Sequence, residues 1–158
     1  MAGSSLKGEK VGRMRAKIVM LKYQLRFQEL MVDENTVKKI IKTYEEAWVG
    51  QDIDKILSIF HKGGIYHEEV LKEPFRGHKE IGKYWKTKVV DEQSDIKFKL
   101  LNYYVCGDTA IAEWDASFYS NIKKARVHIR EVAILEIEDH KIKSLREYWH
   151  SEKLPSKA

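Results

Sequence analysis

Residues 109–149, TAIAEWDASFYSNIKKARVHIREVAILEIEDHKIKSLREYW, predict the fold of this chain. Polar residues alternate with small or apolar ones through 109–120, and the alternation continues through 123–137 and 140–149. A period of two is typical of strands that bury one face. Ser120-Asn121 and Glu138-Asp139 are polar turn formers between the three segments. We therefore predict three consecutive antiparallel strands.

One acidic residue interrupts the apolar face of the middle strand. Glu131 shares its face with four apolar residues, Val127, Ile129, Ala133 and Leu135. A carboxylate in such a position must be paired, protonated or close to water. Glu131 therefore indicates a cavity against the sheet, or else an ion pair with Arg130 or Arg146.

The residues before this region predict helices followed by strands. Capping residues and three-four apolar spacing favour helices over 33–50, 52–60 and 78–89, with strands over 65–70 and 95–105. This order is typical of an α+β fold. We expect a cone-shaped, curved, mainly antiparallel sheet with the N-terminal helices packed in its concave face. Ligand pockets are common at the open end of such a cone.

Composition fits one folded domain. The chain has 158 residues, of which 43% are hydrophobic. Cys106 is the single cysteine, so an internal disulfide is excluded and a reducing compartment, the cytoplasm, is favoured. The apolar run at 18–21 is too short for a signal peptide, and no run is long enough to span a membrane.

The positive charge is confined to the N-terminus. The formal net charge is +5, and residues 1–32 hold seven bases but only Glu9 and Glu29 as acids. The remainder is neutral, which argues against a nucleic-acid-binding face. We divide the chain into a basic extension (1–32), a domain (33–154) and a tail (155–158).

For the basic extension we predict disorder over residues 1–12 and a helix over residues 13–31. Apolar residues recur on that helix at three-four spacing, with others widening the surface: Met14, Ile18, Leu21, Leu25, Tyr23, Phe27 and Leu30. Such a basic helix can meet a partner chain or an anionic membrane. Alternatively, it packs on its own domain or on a sister subunit.

The order of elements and local motifs, from about residue 35 to 154, resembles the nuclear transport factor 2-like superfamily, in its SnoaL-like and ketosteroid-isomerase-like branch. The motifs are Tyr44-(x)3-Trp48-(x)3-Asp52-Ile53-Asp54, Ile59-Phe60, Ile65-Tyr66-His67-Glu68, Pro74-Phe75-Arg76-Gly77, Ile81, Tyr84-Trp85, Gly107-Asp108-Thr109-Ala110, Glu113-Trp114 and Lys141-Ile142-(x)3-Arg146-Glu147-Tyr148-Trp149. Members of this superfamily include isomerases, cyclases, dehydratases, epoxide hydrolases and binding domains, so the resemblance implies the fold and leaves the reaction open.

The resemblance implies roles for three residues. Tyr44 matches the tyrosine that donates a hydrogen bond to the substrate oxyanion, Glu68 matches the carboxylate base, and Trp149 matches a wall of the pocket. Ala133 stands where the family has a second, protonated oxyanion donor. This departure favours a reaction other than steroid isomerisation.

Together these observations give a set of candidate site residues. We predict Glu68, Tyr44 and Glu131 as catalytic. The predicted substrate-binding residues are Trp85, Trp114, Phe118, Trp149, Phe98 and Tyr66. A shift of one residue in the strand would present His67 in place of Glu68. No metal site is expected, since the histidines are scattered, and no cofactor, since no phosphate-binding or dinucleotide motif is present.

Two classes of function follow. In the first, the chain is a cofactor-independent isomerase, cyclase or hydrolase that acts on a small apolar carbonyl, polyketide-like or terpenoid compound. In the second, it is a non-catalytic ligand-binding or dimerising scaffold. A homodimer is expected because the opposite strand faces still carry apolar residues, Val132, Ile134, Tyr119 and Tyr148.

Overall fold

The computed structural model describes residues 3–29 and 31–155, in two units that meet between Met31 and Val32. The first unit contains helix α1, Gly3–Glu29. The helix begins ten residues before the predicted start, because Lys7, Glu9 and Lys10 are good helix formers that offset the glycines around them. Residues 1 and 2, the side chains of Phe27 and Leu30, and the tail beyond 155 lie outside the described residues. None of the described helices has the length and hydropathy needed to span a membrane.

Within residues 32–155, the second unit contains three α-helices, of which two precede the first strand. Helix α2, Glu34–Gly50, begins where the Asp33 carboxylate accepts a hydrogen bond from the Thr36 N–H at 3.0 Å. Helix α3, Ile53–Ser58, begins in the same way at Asp52. Both capping residues were predicted. Helix α4, Gly77–Trp85, continues as a short π-helix over Lys86–Asp91.

The second unit also contains a sheet. Within the described residues, six strands form one curved, open sheet. The strands are β1 (Phe60–His67), β2 (Phe75–Arg76), β3 (Gln93–Cys106), β4 (Thr109–Ser120), β5 (Ala125–Glu138) and β6 (Lys141–Lys153). Their order is β2-β1-β6-β5-β4-β3, and β1 lies parallel to β6 while every other neighbouring pair is antiparallel. The α+β fold with helices on a curved sheet is confirmed.

The first strand is displaced from its predicted position. We predicted a strand over 65–70 that begins after Gly63-Gly64, but β1 begins at Phe60 and ends at His67. The two glycines lie inside the strand, where its register against β6 shifts between Phe60 and Ile65. A Cβ added to Gly64 would lie 3.0 Å from the His61 carbonyl oxygen and 3.1 Å from the Phe60 ring. This glycine therefore permits close packing at a bulge and does not end the strand.

Helices α2 and α4 cover one face of the sheet. The Tyr44 ring of α2 lies 5.1 Å from the Trp114 ring of β4, and 5.7 Å from the Trp85 ring of α4. Trp114 and Glu131 lie on this covered face, 1% and 3% exposed, as the alternation predicted. The candidate site is therefore built between these two helices and strands β5 and β6.

Candidate functional site

A cavity of about 140 Å³ lies between the helices and the covered face of the sheet. Its polar lining includes three carboxylates, Glu68, Glu131 and Glu147, while Gln93, Lys123 and Ser151 also border it. Its aromatic lining consists of Tyr44, Trp48, Tyr66, Tyr84, Trp85, Phe118 and Trp149. The cavity thus combines an aromatic wall with a concentration of acidic groups.

Two of the carboxylates form a buried pair, which we call the Glu131–Glu147 pair. In the register of β5 and β6, Glu131 lies opposite Trp149, and Glu147 lies opposite Ala133. The two acids are therefore diagonal neighbours on one face of the sheet. They are 3% and 4% exposed. None of the ion pairs found in residues 31–155 involves either of them.

Of the two alternatives for Glu131, the ion pair with Arg130 or Arg146 is not formed. Arg146 instead binds Glu136 at 2.7 Å, and Arg130 binds Glu113 and Asp115 on the other face of the sheet. Strand alternation explains this, because residues 130 and 146 lie on the face opposite Glu131. The Oε1 atom of Glu131 is buried without a hydrogen-bond partner.

Two tyrosines hold the other acid of the pair. The Tyr44 hydroxyl donates to Glu147 Oε1 at 2.7 Å. The Tyr66 hydroxyl lies 3.0 Å from Oε1 and 2.9 Å from Oε2 of the same carboxylate. Burial, and next the negative charge of Glu147, raise the pKa of both phenols well above their usual value. Both tyrosines therefore stay protonated and donate to Glu147.

Burial controls the protonation of the pair. Burial raises the pKa of Glu147 to about 7, although the hydrogen bonds from Tyr44 and Tyr66 oppose the rise. Burial and the charge of Glu147 raise the pKa of Glu131 well above the usual carboxylate value. Two adjacent acids in a dry site cannot both ionise easily. Near neutral pH the pair therefore holds one shared proton, carried mainly by Glu131.

Glu68 lies at the mouth of the cavity, immediately after β1 ends. Burial, and next the neighbouring charge of Glu69, raise its pKa. Its backbone carbonyl accepts a hydrogen bond from the Trp149 indole at 3.1 Å. The alternative with His67 facing the cavity is not adopted, since the ring of His67 lies 2.6 Å from the Lys72 carbonyl oxygen and does not line the cavity.

The predicted aromatic residues fall into two groups. Tyr66, Trp85, Phe118 and Trp149 line the cavity. Trp114 and Phe98 do not line it. Their rings lie 5.3 Å apart in a layer behind Tyr44, so these two residues support the wall and do not form it.

Glu147 is the main residue that the sequence analysis missed as a site candidate. The signal was present, because Leu145, Glu147 and Trp149 alternate on one face of β6 just as the neighbours of Glu131 do on β5. Tyr84, Trp48 and Gln93 also line the cavity and were not predicted. They come from helices and a strand end that only tertiary packing brings to the site.

A larger and more open cleft, of about 450 Å³, adjoins the cavity. The two spaces share Glu68, Glu131, Glu147 and Trp149. The cleft continues to the turn at Val70 and Leu71 and to Tyr148 and His150. Trp149 and Glu68 therefore stand between the enclosed space and the surface.

The cavity has the chemistry of an acid–base site. Within residues 31–155, no group of three or more potential metal ligands is placed to hold an ion. The cavity instead offers a protonated carboxyl, a carboxylate held by two phenols, and a third carboxylate near water.

Several solved structures share this architecture. The epoxide hydrolase/cyclase-like enzyme SalBIII, described in pyran ring formation in the polyether salinomycin, is 22% identical with a TM-score of 0.65, covering 75% of this chain and 93% of its own. An epoxide hydrolase of M. tuberculosis, described as LEH-like, is 15% identical with a TM-score of 0.62, covering 73% and 84%. A Catenulispora acidiphila protein with a ketosteroid isomerase-like fold, solved in complex with trimethylamine, is 17% identical with a TM-score of 0.62, covering 69% and 83%. At these identities the likeness establishes the fold alone.

Sequence comparison gives the family. No match to the chain was found among curated proteins. The family model for the SnoaL-like domain matches residues 41–145, a stretch that contains the second half of α2, all of α3, α4 and β1, and Glu131. Because this match spans well over half of the sequence, the chain belongs to the family of SnoaL-like domains.

Proposed function

We propose that this SnoaL-like protein is a cofactor-independent acid–base enzyme of the isomerase, cyclase or hydrolase type. The observation that carries the proposal is the Glu131–Glu147 pair, two buried acids beside a cavity that form no ion pair with the described part of the chain. Burying ionisable groups in this way costs stability, and such groups are concentrated at functional sites.

The proposed roles follow from the protonation of the three carboxylates. Glu131, which carries the shared proton, is the general acid and delivers that proton to a substrate oxygen. Glu68, whose pKa is raised but which remains near solvent, is the general base and removes a proton from carbon or from water. After burial and Glu147, the charge of Glu68 also raises the pKa of Glu131, which supports the two acids acting on one ligand.

Tyr44 takes a different role from the one that the resemblance implied. Its hydroxyl proton is engaged by Glu147, so we assign Tyr44 and Tyr66 to positioning that carboxylate. Glu147 in turn holds the negative charge of the pair while Glu131 stays protonated.

The substrate is small and largely apolar. A cavity of about 150 Å³ accommodates one benzene-sized ring, close to the 140 Å³ found here. The fold neighbour in complex with trimethylamine supports an occupant of this size. We propose a carbonyl or epoxide compound whose reacting end enters the cavity and whose remainder, if polyketide-like or terpenoid, lies in the adjoining cleft.

We also propose a homodimer and a cytoplasmic location. The sheet face opposite the cavity exposes Ile111, Tyr119 and Tyr148, with Val132 and Ile134 partly buried beside them. A second copy would cover this apolar surface. Cys106 is an exposed free thiol, which is compatible with a reducing compartment.

The test is a turnover screen with small epoxides and enolisable ketones, such as cyclohexene oxide and cyclohexanone carrying deuterium next to the carbonyl. We expect Glu131→Gln and Glu68→Gln each to lower kcat by about 10²- to 10⁴-fold, with the fold retained. Glu46→Gln is the matched control, because this exposed acid of α2 pairs with Lys55 and lines neither the cavity nor the adjoining cleft. If the parent protein turns over none of these compounds, and none shifts its melting temperature, the scaffold alternative replaces the enzyme.

A further inference from the structure

The charge around the cavity is unbalanced. Glu131 projects from β5, Glu147 from β6, and Glu68 from the end of β1, and all three line the cavity. The phenols of Tyr44, Tyr66 and Tyr84 also face them, and burial keeps these protonated by raising their pKa. From outside the lining, the charge of Glu69 raises the pKa of Glu68, while Lys72 and Lys88 lower it. The cationic side chain in the lining is Lys123, which is exposed in the turn between β4 and β5 and forms no ion pair with these acids.

One carboxyl oxygen in the cavity has no hydrogen-bond partner among the described residues. Glu131 Oε1 is buried and receives no hydrogen bond from the described residues. A buried polar atom without a partner costs free energy, unless a ligand or water satisfies it. Because Glu131 lies in the cavity lining, a ligand there can reach this carboxylate.

The rest of the wall suits a cation. Seven of the lining residues are aromatic, and four of them come from helices α2 and α4 alone. Ammonium ions are attracted to the faces of Trp and Tyr rings, and cages of such rings recognise methylated ammonium groups. The size also fits, since a trimethylammonium head occupies no more space than the single ring expected for a cavity of this volume.

We propose that the cavity binds a small organic ammonium ion, a protonated tertiary or quaternary amine, with the cation against the Glu131–Glu147 pair and the aromatic wall. The cation supplies a positive charge next to the pair, which forms no ion pair within residues 31–155. This inference goes beyond the proposed catalysis, since it concerns the charge of the ligand and holds whether or not the site turns over a substrate.

Binding of the cation is linked to ionisation of the pair. A positive charge next to the two acids favours the state in which both are ionised, so cation binding releases the shared proton. Affinity for a permanent cation therefore rises with pH through the range in which the pair titrates. A neutral ligand of the same shape does not have this dependence.

The experiment compares choline with its uncharged isostere, 3,3-dimethylbutan-1-ol, by titration calorimetry on the full chain. At pH 8 we expect choline to bind at least about tenfold more tightly than 3,3-dimethylbutan-1-ol. This preference for choline should be smaller at pH 5.5. Choline binding at pH 7 should release protons, which is measured by repeating the titration in phosphate and in Tris, buffers of different ionisation enthalpy.

A pair of variants locates the effect. Glu131→Gln should remove most of the preference for choline and the proton release, because the second negative charge can no longer form. Glu46→Gln, at an acid outside both the cavity and the cleft, should leave both unchanged. Equal affinity for the two compounds, absence of binding by either, or an undiminished preference in Glu131→Gln each overturns the inference. The acid–base proposal stands or falls separately on the turnover screen, because its probes are neutral.

Discussion

Replacing Glu147 by glutamine should stabilise the protein at alkaline pH and not at acidic pH. The folded state raises the pKa of Glu147 from 4.5 to about 7, so the folded protein holds a proton that the unfolded chain has lost. Stability falls with rising pH wherever the folded state binds more protons. The contribution of Glu147 is thus full below pH 4.5 and is lost as the pH rises through about 7.

The size of the effect follows from that shift. At about 1.4 kcal/mol per pKa unit, ionising Glu147 in the folded protein costs about 3 kcal/mol. Glutamine avoids this cost and still accepts a hydrogen bond from Tyr44 or Tyr66, at a loss of about 1 kcal/mol relative to the carboxylate. We therefore expect Glu147→Gln to be more stable than the parent by about 2 kcal/mol at pH 8, and slightly less stable at pH 4.5.

The assay is urea unfolding, followed by far-ultraviolet circular dichroism at both pH values. Glu46→Gln is the control, since this exposed acid is paired with Lys55 and lines neither the cavity nor the cleft, so the difference from the parent should be small at both pH values. If Glu147→Gln is destabilised equally at the two pH values, Glu147 is a structural acceptor and the protonation of the pair is not as described.

Two further predictions concern the tyrosines and the assembly. Tyr66→Phe removes a hydrogen bond that lowers the pKa of Glu147, so the pH at which Glu147 ionises should move upward, as read from the carboxyl resonances by NMR. No movement, or a downward one, contradicts the geometry. For the parent protein, light scattering at micromolar concentration should give about twice the chain mass of 18.6 kDa. The variant Tyr148→Glu, on the face opposite the cavity, should give the mass of a single chain. A parent protein that already has the single-chain mass rules out the dimer.

The sequence predicts the late strands well because their signal is local. Alternation along 109–149 is set by which face each residue presents, and β4 begins and ends at the predicted residues. The same alternation places Glu131 and Trp114 on the covered face. Asp33 and Asp52 predict helix starts for the same reason, since a cap acts within three residues.

The errors arise where distant parts of the chain decide the outcome. Gly63-Gly64 has the pattern of a chain break, yet packing against Phe60 and strand β6 makes it part of β1. The helix predicted over 78–89 changes to π-helix after Trp85, where the Gln51 side chain donates to the carbonyl oxygens of Val89 and Val90. Neither partner can be identified from nearby residues.

The candidate site was predicted in part for the same reasons. Glu68, Tyr44 and Glu131 do line one cavity, since each lies on a face that periodicity identifies. The pairing of Glu131 with Glu147 depends on the register of β5 against β6, which the sequence does not state. In the sequence, Trp114 and Phe98 alternate with polar residues just as the cavity-lining residues do. Only the packing of α2 against the sheet shows that these two rings lie behind Tyr44.

The parallel pairing of β1 with β6 has a consequence for how the molecule is made. Tyr66 of β1 lies beside Leu145 of β6, so nearly 80 residues must leave the ribosome between these partners. Until then, α2 and α4 have only strands β3 to β5 to cover their apolar sides, and β1 has a free edge. Contacts of such long sequence separation form slowly. The two phenols and two acids of the site come together only when this strand pair forms. A nascent chain that stalls earlier therefore exposes aggregation-prone apolar surface and has no cavity.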